Sequence, residues 1–467
     1  MNILGNKVPP DHDIRESILT HSIKKGFASA VVAPAGSGKT TIAIEYARRT
    51  GARTLLCCYN KRFQEEADER ARDDANITTS TLDAISYNSF FTRGVTYSLS
   101  RESINRTFVK SKFQTSWEHA AEIVSLFNAF CDDPDAVLED ACAEIRQIAD
   151  DVMHKKYWDF GIIRKLVQLN GSAQRFLRSF DVIIIDEAQD LSPLFLRILL
   201  QVSSETYMLF IGDPNQSLYE FNGCIDLFDP KVRENHGIEF DRIWRLKCSF
   251  RFGQSICNLV NGMSLTGAPL EPGSDRITEI QNGCESEFAS ASESFPGPYT
   301  YLFRSWKELM ITACKFPRAF VDIESQGFKG IRWQKSVDGE TTTSQWVKKL
   351  KKGELDQMIS KITTQHHRLK TDSNRITFLT VHAFKGKEDK TVRLHVDVMQ
   401  EEDHRITYVG VTRAIERLVI PCLPGPVARA SRPESRPASR SRAKVFNKRA
   451  YDARPDAHPF FAPRRKL

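Results

Sequence analysis

Two short stretches carry residue types that could do phosphate chemistry. Ala33 to Thr40 reads APAGSGKT, between an apolar run at 28–34 and a helical pattern at 42–49. Backbone N–H groups of Ala35, Gly36, Ser37 and Gly38, with the N-terminus of the following helix, form a cradle for phosphate oxygens. Lys39 would reach the β- and γ-phosphates of a nucleoside triphosphate and Thr40 would offer its hydroxyl to Mg²⁺, with Thr41 closing the run. The second stretch, IIIDEAQD at 183–190, is an apolar strand that delivers two carboxylates to its end. Asp186 can organise Mg²⁺ through water, and Glu187 can orient and polarise an attacking water as general base. Gln189 and Asp190 read as network residues that tie this loop to its neighbours. Each stretch alone has a bland reading, a glycine-rich turn or a helix cap. Together they point to ATP and Mg²⁺ as cofactors.

Positive charge for the reaction lies far along the chain. Arg251 sits in LKCSFRFG and Arg413 in YVGVTRA. Charge develops on a transferring phosphoryl group, and a planar guanidinium suits its oxygens. If both arginines serve one site, the nucleotide bridges two regions of the chain, and its binding and hydrolysis open and close the cleft between them. A further stretch, GDPNQSLYEFNG at 212–223, follows an apolar strand with an amide, Gln216, and then two aromatics, Tyr219 and Phe221. Phe221 is placed to stack on a base; Tyr219 either does the same or braces the loop.

The elements that must position these residues follow an α/β pattern. Strands are expected at 28–34, 53–59, 77–80, 181–185 and 206–211, with helices after the first two and at 194–202. Residues 92–178 switch to helical periodicity, as in WEHAAEIVSLFNAF. A second α/β region begins near 250, with a helix at 252–263, strands at 299–303, 376–381, 392–398 and 417–420, and a helix at 402–415. Residues 305–375 hold a modest insert, with a hairpin expected at 327–336 and helix after it. The Arg, Ser and Pro of SRPESRPASRSR argue for disorder from about 425.

The ordered blocks APAGSGKT, CCYNKRF, TSTLDAI, IIIDEAQD, GDPNQSLYEFNG, LKCSFRFG, YLFRS, TVHAFKGKE and YVGVTRA resemble the superfamily 1A DNA helicases of the UvrD/Rep/PcrA type. SFRFG, with CYNK before it, is similar to the F-box DNA helicase branch, although no F-box-like region is present. The resemblance implies an α/β fold of two RecA-like P-loop NTPase domains with a mostly helical 1B-like insertion and a small 2B-like insertion. Domain 1A would span 1–91 and 179–249, the 1B-like insertion 92–178, domain 2A 250–304 and 376–424, the 2B-like insertion 305–375, and a basic tail 425–467. It also implies an ATP-dependent motor moving 3′→5′ on single-stranded DNA, with single strands and single-strand/duplex junctions as partners. Alternatives are a translocase that displaces proteins with little unwinding, and an RNA-directed motor. Roles in repair, replication or recombination, with proteins of those processes as partners, come with the same resemblance. A monomer suffices for such a motor; nothing in the sequence sets the oligomeric state.

By motif, Lys39, Asp186, Glu187, Gln216, Arg251 and Arg413 take catalytic roles, Gln216 as sensor of the γ-phosphate. Phe250 stands where the family stacks a tyrosine on adenine, and Glu388 matches a glutamate near the nucleotide sugar, with Lys385 and Gly386 completing that turn. Tyr59, Asn60, Lys61, Thr81 and His382 match blocks that touch DNA or relay between the two sites, and Tyr219 and Phe221 join them as candidate DNA contacts. The chain departs from the family in lacking a glutamine before Gln64 to read the adenine edge. Either base selectivity is relaxed or another N-terminal group serves, with His12 and Asp13 as candidates. Asp83 and Asn222 also replace residues usual in the family.

Composition narrows the class. Of 467 residues, 41% are hydrophobic and 27% charged, as in globular chains of several domains. No apolar run is long enough to span a bilayer, and the N-terminus lacks a secretory pattern. Ten cysteines form no metal-like cluster, which fits reduced thiols inside a cell. The net charge of +7 is concentrated: residues 428–467 hold twelve Lys/Arg and three Asp/Glu, leaving the rest with a net −2. The tail is expected to tether nucleic acid or to act as a nuclear import signal in a eukaryotic setting.

Overall fold

The computed structural model describes residues 11–91, 102–219, 223–263, 265, 267–283, 298–316, 318–322, 353–399 and 404–421. Phe221, Asn222, the hairpin expected at 327–336 and the basic tail lie outside the described residues.

Strands β1 (Ala28–Val32), β2 (Thr54–Cys58), β3 (Ile77–Thr81), β4 (Val182–Ile185), β5 (Tyr207–Gly212) and β6 (Arg242–Arg245) form one parallel sheet in the order β3-β2-β4-β5-β1-β6. A parallel strand covered on both faces reads as a continuous apolar run, and β4, VIII, is buried at every position. The two faces separate by alternation along each strand. Val31, Leu56, Ile184 and Leu209 pack against Ile42 and Tyr46 of the helix Lys39–Thr50 and Ile18 of the helix His12–Leu19. Their neighbours Ala30, Leu55, Ile183 and Phe210 face the other way.

That other face shares one core with the helical insertion. Ile123, Ile148 and Ile162 come from the helices Trp117–Asp132, Ala143–Met153 and Phe160–Asn170, and they belong to the same cluster as Ile183 and Phe210. Ser116 and Asp159 cap two of these helices, accepting from the N–H groups of His119 and Gly161.

The second lobe repeats the plan. Strands β9 (Glu279–Gly283), β10 (Tyr299–Phe303), β11 (Ala319–Val321), β12 (Ile376–Thr380), β13 (Asp389–Leu394) and β14 (Ala414–Pro421) make a parallel sheet in the order β11-β12-β10-β13-β14-β9. A short pair, β7 (Cys248–Ser249) with β8 (Glu271–Pro272), links it to the first lobe. Ala35 and Leu218 of the first lobe are buried in the second lobe's core with Phe252, Phe384 and Tyr408. The lobes therefore meet through apolar contact as well as hydrogen bonds.

Register sets the site. Val32 pairs with Gly212 and Ile185 with Phe210, so β1, β4 and β5 end side by side. The loops after them hold 33–38, 186–190 and 213–218, and ligands of open α/β sheets bind at such carboxyl ends.

Four expectations about elements need correction. β6, β9 and β11 carry no strand signal, because β6 ends in arginines, β9 is EIQNG, and β11 is only three residues long. The strand expected at 392–398 is β13, starting at Asp389 and ending at Leu394; the His395 side chain then accepts from the Asp397 N–H and turns the chain into a single 3₁₀ turn. Among the described residues the helix expected at 402–415 covers His404–Val411 and ends before Arg413, which is drawn into the interlobe contact with Gln216. β14 starts accordingly at Ala414 rather than 417.

Ile162 lies in the insertion but is fully buried in the core shared with the sheet. Ile162→Ala should destabilise the first lobe by about 2–5 kcal/mol. Urea unfolding should show the insertion and the sheet melting together; a separate early transition of the helices would show two independent units.

Candidate nucleotide-binding site

The glycines of the phosphate loop are demanded by conformation. Gly36 has φ +74° and Gly38 φ +82°, both left-handed. A side chain on Gly36 would also strike Ser249 Oγ and Arg251 Cβ, both within 2.6 Å of its Cβ position. The Gly36 carbonyl accepts from the Phe250 N–H at 2.9 Å. The second lobe thus begins pressed against the loop. The helix Lys39–Thr50 starts as the loop ends, which places free N–H groups at the cradle.

The carboxylates stand beside it. Thr40 Oγ1 donates to Asp186 Oδ2 at 2.9 Å, and Lys39 Nζ lies 3.5 Å from Glu187 Oε1. A hydroxyl next to a carboxylate is the kind of incomplete oxygen set that Mg²⁺ takes. These residues fit the metal. Burial, then Glu187, pushes the Asp186 carboxyl up. Burial opposes ionisation of Glu187 as well, but Lys39 and Lys385 hold it below the ordinary carboxylate range. Glu187 takes a left-handed backbone at φ 55°, unusual for a residue with a side chain and a cost of about 1–3 kcal/mol. That conformation turns the chain sharply after β4 and keeps both carboxylates at the sheet edge.

Gln189 ties the edge together. Its Nε2 donates to Glu187 Oε2 at 2.6 Å and its Oε1 accepts from the Asp213 N–H at 2.9 Å. Asp213 in turn accepts from Gln216 Nε2 at 2.8 Å. Arg413, only 1% exposed, crosses from the second lobe and donates to Gln216 Oε1 at 2.9 Å. Burial, then Arg251, lowers its affinity for its proton. Arg251 donates to Glu388 and, at 3.2 Å, to the Thr412 carbonyl. Glu388 therefore holds an arginine in this structure.

Lys385 makes the second crossing. Its ammonium pairs with Asp190, donates to the Gln216 carbonyl at 2.6 Å and lies 4.9 Å from the centre of the Tyr219 ring. The neighbouring Gly386, φ +79°, leaves space that Phe63 of the first lobe fills. Tyr408 makes a third crossing: Ala35 N–H donates to its hydroxyl at 3.1 Å, and the hydroxyl donates to Asp213 Oδ2 at 2.7 Å.

On the N-terminal side of the loop, His12 and Asp13 are exposed. The residues that face it are Asp11 and Arg15, one helical turn apart. Arg15 donates to Asp11 Oδ1 at 2.8 Å and to the Ser37 carbonyl at 2.8 Å, and its guanidinium lies 4.9 Å from the centre of the Phe250 ring. Asp11 is fully buried. The i, i+4 spacing was the signal that could have found this pair.

The candidate strand-contacting residues divide. Asn60 and Lys61 are exposed at the start of the helix Lys61–Arg70, which the Asn60 side chain caps by accepting from the Phe63 N–H. Thr81 is buried and caps the helix Leu82–Phe90 by accepting from the Ala84 N–H. Tyr219 stacks on exposed Tyr59 with centroids 5.7 Å apart and sits 6.0 Å from the His382 ring. Sequence reasoning singled out Tyr59 without its stacking on Tyr219, and it missed Asp213 and Tyr408.

Comparisons with known proteins follow this geometry. An AAA domain family model matches residues 16–222, which covers the first lobe through the Gln216 loop. F-box DNA helicase 1 of Gallus gallus is 25% identical over 277 residues, 52% of this chain and 26% of that protein. The chain thus spans about a quarter of the length of that curated relative. A complex of arterivirus nonstructural protein 10 (helicase) with DNA is 13% identical at TM-score 0.38, over 88% of this chain and 62% of that one. The PRRSV helicase is 12% identical at TM-score 0.35, over 89% of this chain and 55% of that one. Among the described residues no helix is long and apolar enough to cross a membrane.

Burial pushes the Asp190 carboxyl up, to about 6, with Lys385 opposing the shift. Without Lys385 it would rise further above its unfolded value. A raised carboxyl stabilises the fold while protonated, and that stability is lost as pH rises through the raised value. Lys385→Met is expected to cost about 3–5 kcal/mol near pH 8 and clearly less near pH 5. Thermal melting at the two pH values checks this, and adding Asp190→Asn should recover part of the loss.

Proposed function

We propose that this chain is an ATP-dependent motor on single-stranded nucleic acid, a 3′→5′ DNA translocase and helicase of the superfamily 1A kind. The observation that carries the reading is the division of one site between two lobes. Lys39, Thr40, Asp186 and Glu187 line the first lobe's edge; from the second lobe Arg413 bonds Gln216, and Arg251, paired with Glu388, has its Cβ against Gly36 of the phosphate loop. A site so divided changes when its ligand changes, and lobe movement is the natural output.

Each residue then has a task. The loop amides and Lys39 bind and orient the triphosphate. Thr40 and Asp186 would hold Mg²⁺, which when bound offsets phosphate charge. Glu187, kept ionised by Lys39, takes the proton of the attacking water. Arg413 and Arg251 meet the charge that develops on the phosphoryl oxygens; Arg251 first exchanges Glu388 for them. Gln216, tied to Arg413 at rest, turns toward the γ-phosphate. Phe250 and Arg15 frame the base, and the donor-only guanidinium supports purine binding without a strict demand for adenine.

The strand side begins three residues past Gln216, at Tyr219. Tyr59, Tyr219 and His382 form a ring surface that draws on both lobes. Rings of this kind grip bases regardless of sequence, at about 1–3 kcal/mol per base. Asn60 and Lys61 serve the backbone nearby, Thr81 caps the helix Leu82–Phe90, and Phe221, outside the described residues, is a further candidate for stacking on a base. Transfer of the F-box DNA helicase name to this chain supports DNA over RNA.

ATP hydrolysis should rise several-fold with single-stranded DNA and less with RNA. Glu187→Gln should lower kcat by about 100-fold or more while nucleotide binding persists. Duplexes with 3′ tails should be unwound in preference to those with 5′ tails. Preference for the 5′ tail would reverse the polarity, stronger stimulation by RNA would change the substrate, and protein displacement without strand separation would make the chain a translocase.

A further inference from the structure

We propose that Tyr408 is a positioning residue through which the second lobe sets the entrance of the phosphate loop and the aim of Gln216 together. The inference rests on the ATP-site reading above and concerns how that site senses the closeness of its lobes.

The phenol is fully buried, in an apolar cluster with Phe384, Val392 and Leu418. A hydroxyl in such surroundings is costly unless it is paired. Both of its partners belong to the other lobe. Its single proton goes to Asp213 Oδ2 at 2.7 Å, and its oxygen accepts from the Ala35 N–H at 3.1 Å. Burial, then Asp213, keeps the phenol protonated far above its ordinary range, so the donor is always available.

The two partners are the first turns out of neighbouring strands. Ala35 lies three residues past β1 and Asp213 one past β5, and the strands end paired at Val32 and Gly212. One phenol therefore clips the start of the phosphate loop to the start of the Gln216 loop. The same Asp213 oxygen also accepts from Gln216 Nε2 at 2.8 Å. Gln216 Oε1 accepts from Arg413, which lies five residues beyond Tyr408 on the same segment. Tyr408 and Arg413 thus leave the second lobe together and hold the Asp213–Gln216 unit at both ends.

Two consequences follow. When the helix His404–Val411 moves away, Ala35 and Asp213 lose a partner at once, Gln216 loses Arg413, and the carboxylate that aims Gln216 is no longer fixed by the phenol. When the helix is seated, the loop and the sensor are set for the same nucleotide geometry. The hydroxyl acts on the reaction through these groups and does not itself touch the phosphates.

Tyr408→Phe isolates the hydroxyl, because the ring keeps its place in the cluster. The measurement is steady-state ATP hydrolysis with and without single-stranded DNA, beside nucleotide binding and thermal melting. We expect kcat with DNA to fall about tenfold or more, KM for ATP to stay within about threefold, and the stimulation by DNA to be largely lost. Asp213→Asn should show a loss of the same kind, and the double variant should be no worse than the more impaired single one. If Tyr408→Phe folds poorly, Asp213→Asn alone carries the test, and unaltered stimulation by DNA in it would overturn the proposal. Unaltered stimulation in Tyr408→Phe, or losses that add in the double variant, would overturn the proposal while leaving the motor reading intact. A wild-type chain without ATP hydrolysis would overturn the motor reading and this proposal with it.

Discussion

A guanidinium cannot lie in a protein interior without acceptors, and Arg413 is almost wholly buried. Its acceptors are the Val409 and Lys387 carbonyls and the Thr412 hydroxyl in its own lobe, and the side chain of Gln216 in the other. This requirement organises the interface. Gln216 can serve Arg413 only if its amide is turned by Asp213, and Asp213 is held by its own N–H on Gln189 and by the hydroxyl of Tyr408. Gln189 reaches Glu187, and Glu187 reaches Lys39. One buried cation thus ties the second lobe to the chain of contacts that ends at Glu187 and Lys39.

The same arrangement explains why the rings of Tyr219 and Tyr59 lie so close to the Gln216 loop. Lys385 binds the backbone of Gln216 and the carboxylate of Asp190, and its charge rests over the Tyr219 ring. A change at Gln216 is therefore felt three residues later by the stacked pair Tyr219 and Tyr59 without a long relay. The contacts are buried and discrete, so they are made or broken rather than gradually stretched.

Much of this was legible in the sequence, for physical reasons. Apolar runs such as VIII announce buried parallel strands, and the loop glycines announce backbone that only glycine adopts easily. The phosphate loop, the paired carboxylates and the two distant arginines could be read because their chemistry restricts residue type. Other parts were hidden. Tyr408 looks like one more core ring on an apolar helix, and only its hydroxyl's partners, 373 and 195 residues away, give it a task. Asp11 and Arg15 look like surface charges until the helix places them against Ser37 and Phe250. β6 and β9 are held by neighbouring strands rather than by their own composition. Thr81 and Asn60 match strand-contacting blocks, yet their side chains are engaged in capping helices.

The central claim is that one nucleotide is gripped by both lobes at once. A crystal structure with Mg²⁺ and a non-hydrolysable ATP analogue tests it most directly. The account predicts the terminal phosphate within hydrogen-bond reach of Lys39, Gln216, Arg251 and Arg413 together, with the metal beside Thr40 and Asp186. An analogue seated on the phosphate loop with both arginines out of reach would contradict it.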